Sequence, residues 1–85
     1  MIVPNKELGQ HFLTDDSILG KIRASLELRS SDILLEVGPG PAYLTRHLLT
    51  GIKELHAVEI DLRTKPLLLP LANQFPQLIL YFEDF

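Results

Sequence analysis

Asp32-Ile33-Leu34-Leu35-Glu36-Val37-Gly38-Pro39-Gly40-Pro41-Ala42 joins an apolar run to a helix-like run through a Gly-rich turn that ends in a small residue. The part from Asp32 to Val37 reads as a buried parallel strand, being almost continuously aliphatic and bounded by turn residues. Pro41 is placed to be the first residue of a helix reaching Leu49, because a first helical turn leaves its N–H groups unbonded in any case. About twenty residues past Gly38, a second apolar strand, Leu55-His56-Ala57-Val58, closes on Glu59. A tight turn at the carboxyl end of one strand, followed at that distance by an acid, is the arrangement by which βαβ units hold an adenosine ribose.

Two details separate the adenosine cofactors. Tyr43 stands where a dinucleotide fingerprint has its last glycine, and Pro41 removes a donor from the helix terminus that a pyrophosphate would use. Glu36, two residues before Gly38, adds negative charge at the turn. S-adenosylmethionine carries a sulfonium and an ammonium and no phosphate, so carboxylates suit it by Coulomb attraction. Methyl transfer leads on this reading, with a generic Rossmann-like binding turn open beside it.

The 85 residues are enough for one small domain with one core and fall short of a complete doubly wound fold. A composition 46% hydrophobic and only 7% aromatic describes an aliphatic interior rather than a disordered tail. The greasiest window, Pro66 to Ala72, carries two prolines and is too short to span a bilayer, and Lys6, Glu7, Gln10 and His11 interrupt any secretory pattern. With no cysteine there is neither a disulfide nor a thiolate metal site, and a cytoplasmic setting is expected, an organellar matrix being the other. The net charge of −3 provides no global field for nucleic acid, so an RNA contact has to be local. Lys6, Lys21 and Arg23 in the first segment and Arg46 and Lys53 about the first crossover helix are candidates for it, and they read first as solvated surface charge.

Along the chain, Gly9 bends a lead-in segment. Thr14 or Asp15 caps a first helix, with Ile18, Leu19, Ile22 and Leu26 on one face. The helix after the Gly-rich turn stops near Gly51. Asp61 can cap a second crossover helix, but Pro66 and Pro70 predict that it is short or broken. Leu78 to Phe82 forms a third strand. The fold class is therefore α/β, with parallel strands in the order 3-2-1 after an N-terminal helix. All strand ends then share one rim, which gathers the Gly38 to Gly40 turn, Glu59 and Asp84.

Gly9-Gln10-His11-Phe12-Leu13-x-Asp15, Glu36-Val37-Gly38-Pro39-Gly40-x-Ala42-x-Leu44-Thr45 and Val58-Glu59-Ile60-Asp61-x-Arg63 together resemble the ribosomal RNA adenine dimethyltransferase family over nearly the whole chain. The resemblance implies the N-terminal part of a Rossmann-like S-adenosylmethionine-dependent methyltransferase fold, from an enzyme that methylates adenine N6 twice on adjacent adenosines of small-subunit rRNA. It implies that His11 and Leu13 touch the cofactor, that Gly38 lies under its methionine part, that Glu59 takes the ribose hydroxyls and that Asp84 accepts from the cofactor's adenine amino group. Each has a plainer reading: His11 as an exposed loop residue, Glu36 as an acceptor for turn amides, Asp84 as a fraying chain end, and Tyr43 and Tyr81 as packing. No metal site is expected.

Departures accompany the matches. Ala42 stands where many family members have glycine, Glu83 replaces the usual glycine before the acid, and Pro66 and Pro70 disturb a helix that is normally continuous. The family's Asn-(Leu/Ile)-Pro-(Tyr/Phe) motif, which grips the target adenine, is expected beyond Asp84. Residues 1–85 therefore read as a partial cofactor-binding domain, truncated before that motif and before the C-terminal helical domain. No catalytic residue is assigned, and the chain alone is expected to transfer no methyl group. A stand-alone binding module for S-adenosylmethionine or a related adenosine cofactor is the second reading. A third is a fragment that completes another protein's sheet or self-associates through an exposed edge.

Overall fold

A computed structural model describes residues 15–83, so His11, Leu13 and Asp84 lie outside the described residues. Helix α1 spans Asp16–Ser25, and the Asp15 carboxylate opens it by accepting the Ile18 N–H at 3.2 Å. Asp16 in the first turn and Arg23 in the last complement the helix dipole. Leu19 is the buried side chain of its apolar face; Leu26, expected on that face, sits just past the helix and is half exposed.

Strands β1 (Ile33–Val37), β2 (Glu54–Val58) and β3 (Leu78–Tyr81) form one parallel sheet in the order β1-β2-β3, the expected 3-2-1 arrangement. The pleat sorts their side chains by alternate residues. Leu34, Glu36, Leu55, Ala57, Leu78 and Leu80 share one face, and their aliphatic members join Leu48, Leu49, Leu68 and Leu71 in the core. Those core leucines come from helix α2 (Tyr43–Leu48) with its cap residue, and from helix α3 (Lys65–Gln74). Among the described residues, no helix covers the opposite face. Ile33 and Leu35 keep 57% and 64% of their surface in solvent, although parallel sheets are normally buried on both sides. A shallow concavity of about 360 Å³ lies on this face, with Leu35, His56, Val58 and Tyr81 among its walls. His56 bridges Glu54 and Tyr81 there, at 2.8 and 2.9 Å. Among the described residues, no helix is long and apolar enough to cross a membrane.

Two expectations are corrected. Pro41 is not the first helical residue: the Ala42 N–H closes on the Pro39 carbonyl at 2.9 Å, and Ala42 adopts φ 70°, so Pro41 lies in the turn and α2 starts at Tyr43. The proline-bearing helix is neither short nor broken, since α3 runs for ten residues. Pro66 falls in the first turn, where no N–H is needed, and only Pro70 removes an internal bond. Leu68 and Leu71, at 0% and 2% exposure, each contribute about 2 kcal/mol by burial and offset that cost. Asp61 does cap, but its side chain closes a 3-10 turn, Leu62–Thr64, that leads into α3.

Pro70 therefore persists at the expense of stability. Pro70→Ala should restore the missing bond and stabilise the chain by about 1–3 kcal/mol in urea unfolding with an unchanged m-value. A neutral or destabilising result would show that the proline ring is itself part of the packing.

Candidate functional site

The site begins where the ladder of β1 and β2 outruns the strands. Beyond Val37, the Gly38 N–H still donates to the Val58 carbonyl at 2.8 Å. Gly38 and Gly40 then take φ of 71° and 53°, left-handed values that cost glycine little and that Ala42 also adopts at φ 70°. Nothing lies within 4 Å of the position a Cβ would occupy on Gly38 or Gly40, so the outer surface of the turn is bare backbone.

Glu59 sits beneath this turn, 6% exposed. One carboxylate oxygen accepts the Gly40 N–H at 2.8 Å and the other the Asp61 N–H at 2.9 Å, while the Glu59 N–H extends the sheet by donating to the Tyr81 carbonyl at 2.8 Å. A buried carboxylate is tolerated only when its lone pairs are met, and these amides meet two of about four acceptor positions. The remaining acceptor capacity suits hydroxyl donors. Sequence reasoning gave the turn amides to Glu36 as its plainer role; the structure gives that role to Glu59.

Glu36 has a different partner. Its alternate position on β1 points it to the covered face, where it is 4% exposed and accepts the Thr45 hydroxyl at 2.6 Å. Burial, only partly countered by the Thr45 hydrogen bond and reinforced by the negative Glu59, pushes its carboxyl up to about 7 from 4.5. Thr45 was not singled out as a site residue in the sequence. The signal was present, since an acid in phase with Leu34 on an inward-facing strand needs a buried donor one helix away.

At the far side of the site, the Arg63 guanidinium beside Asp61 lowers that carboxyl to about 2, both groups being exposed. Lys65 lies over the Phe82 ring, 5.1 Å from its centroid. Among the described residues, the structure brings Gly38, Gly40, Glu36, Thr45 and Glu59 together, and no group of His, Asp or Glu is arranged to hold a metal ion.

Comparison with known proteins follows the same line. A profile described as ribosomal RNA adenine dimethylase matches residues 3–78. A Methanopyrus kandleri protein, named "Probable ribosomal RNA small subunit methyltransferase A", is 43% identical over 84 residues, covering 99% of this chain and 30% of that protein. A ribosomal RNA small subunit methyltransferase A from Phenylobacterium zucineum is 46% identical over 79 residues, 93% of this chain and 28% of its own length. Among solved structures, the 23S rRNA methyltransferase ErmE superposes with TM-score 0.77 at 32% identity, over 87% of this chain and 30% of that one. A dimethyladenosine transferase from Plasmodium falciparum gives 0.75 at 33% identity, over 87% and 28%. The chain thus spans about a third of the length of the relatives it matches.

The Glu36 shift makes stability pH-dependent with a definite sign. Its folded value lies above its unfolded one, so stabilisation is full below about 4.5 and is lost as pH rises to about 7. Urea unfolding should show a fall of about 3 kcal/mol across that window, and Glu36→Gln should flatten it. Asp61 acts in the opposite sense, and only between about 2 and 3.8. A profile for Glu36→Gln that matches wild type would place the titrating group elsewhere.

Proposed function

The chain belongs to the ribosomal RNA adenine dimethylase family, and on that footing we propose that it is the cofactor-binding portion of an enzyme that dimethylates adenine N6 in small-subunit rRNA with S-adenosylmethionine. The observation that carries the reading is the bare left-handed turn at Gly38 and Gly40, underlain by the buried Glu59 carboxylate. That donor set fits the cofactor: an open backbone surface for the methionine part, spare carboxylate lone pairs for ribose hydroxyls, and negative charge facing a sulfonium. When bound, S-adenosylmethionine supplies the methyl group as an electrophile. This chain's residues bind and orient it, with His11, Leu13 and Asp84 proposed as further contacts by position in the family motifs. The names of the relatives at 43% and 46% identity favour small-subunit rRNA over the 23S rRNA in the name of ErmE. A cytoplasmic setting accompanies this reading.

Catalysis of this kind rests on positioning, which can be worth about 7–11 kcal/mol of barrier. The Asn-Pro-Tyr-type motif by which the family orients the target base is not found in these 85 residues. Isothermal titration should detect weak S-adenosylmethionine binding that Glu59→Ala abolishes and that NAD does not reproduce. A radiolabelled transfer assay on immature small subunits should show no methylation by this chain alone. Tight NAD binding, or binding indifferent to Glu59, would defeat the cofactor reading; methylation of adenine would defeat the half-site reading.

The uncovered sheet face supports a second proposal, self-association of the chain as it stands. Ile33, Leu35 and Val37 expose a contiguous aliphatic strip on an edge strand. Sedimentation should show association that increases with concentration and that Leu35→Glu suppresses, and a monomer throughout the accessible range would overturn it.

A further inference from the structure

Two carboxylates share the covered side of the sheet beside one turn, Glu59 standing two residues beyond Ala57, the register partner of Glu36, and their surroundings differ. Glu59 is anchored by two backbone amides and is the group through which the turn is tied to β2. Glu36 is held only by the Thr45 hydroxyl among the described residues, a donor whose proton can rotate to suit either form of the acid. The charged groups facing Glu36 from the elements around it are few. Glu59 approaches from the end of β2. On α2, Arg46 is exposed on a surface away from Thr45, and His47 is engaged with Asp16 of α1 at 3.1 Å. On α3, the one charged residue is Lys65, which lies over Phe82. Arg63, beyond Glu59, is engaged by Asp61, and among the described residues no cation is paired with either acid.

We propose that Glu36 is a charge-sensing positioning residue: its carboxyl group gives up a proton when a cationic adenosine cofactor settles on the Gly38 to Gly40 turn. The inference rests on the cofactor reading above and deepens it, since it concerns how the site distinguishes a sulfonium from the neutral thioether left after transfer. Only the O–H bond of the Glu36 carboxyl breaks, and the proton passes to solvent; the ligand is unchanged. The physical drive is Coulombic. Two buried acids close together cannot both ionise cheaply, and an arriving positive charge removes that obstacle. With the neutral thioether, the second negative charge is no longer compensated, the proton returns, and the product is held less tightly. Thr45 tunes the response, because its hydroxyl favours the ionised form.

Titration calorimetry in buffers of different ionisation enthalpy reads the proton directly. With S-adenosylmethionine at pH 7, a fraction of a proton should be released per ligand bound, because burial with a single neutral donor keeps part of the Glu36 carboxyls protonated beforehand. S-adenosylhomocysteine should release clearly less. The affinity for S-adenosylmethionine should rise between pH 6 and 8 by several-fold and then level off. Glu36→Gln should bind with no proton release and a flat profile, Thr45→Val should move the release to higher pH, and Thr45→Ser should restore it. Carbon-13 NMR of the glutamate carboxyls gives an independent reading: one resonance titrating near neutral pH in the free chain, absent in Glu36→Gln, and shifted to lower pH by S-adenosylmethionine. Binding at pH 7 without proton release, or equal release by Glu36→Gln, overturns the inference alone. Absence of binding by either ligand at every pH overturns the cofactor reading and this inference with it.

Discussion

The Glu59 carboxylate, holding the Gly40 amide on one oxygen and the Asp61 amide on the other, is the interaction on which the rest of the site depends. It ties the turn after β1 to the loop after β2, two segments that the sheet alone would leave side by side but free to splay. A neutral isostere would keep the shape and lose the charge-assisted acceptors, which are about twice as strong as neutral ones. One acid thereby sets the height of the turn above the sheet, satisfies its own burial and retains acceptor capacity for a ligand. The strain of Ala42 at φ 70° belongs to the same construction. A left-handed alanine costs about 1–2 kcal/mol, and its complete burial helps to hold it there.

The fold was legible where periodicity was strong. Aliphatic runs around Leu34, Leu55 and Leu78 announced three strands, and the parallel order followed from the connections between them. Helix boundaries were less legible for a physical reason: proline is compatible both with a first helical turn and with the turn before it. Pro41 fell in the turn because Ala42 turned left-handed, a choice no local propensity predicts. Pro70 illustrates the converse, since burial of Leu68 and Leu71 outweighs one lost hydrogen bond, and propensity rules do not weigh tertiary contacts.

The convergence of the glycine turn and Glu59 was readable from spacing, because a βαβ unit brings the end of its second strand beside the turn that follows its first. That the turn amides fall to Glu59 and not to Glu36 was not. Which acid meets backbone amides depends on where two loops converge in space, and that distance exists only once the sheet is formed. Thr45 escaped notice because a buried threonine on a helix usually bonds its own backbone, whereas here it reaches across to β1.

The two ladder bonds that pass beyond the strand ends, from Gly38 to Val58 and from Glu59 to Tyr81, have a dynamic corollary. Amides that belong to a sheet exchange with solvent only when the sheet opens, whereas loop amides exchange through local fluctuation. By that criterion the floor of the turn is part of the sheet rather than of the loop above it. Deuterium uptake at Gly38 and Glu59 would follow the cooperative opening of all three strands. The turn would then be rigid on the timescale of domain unfolding even where its outer atoms are open to water.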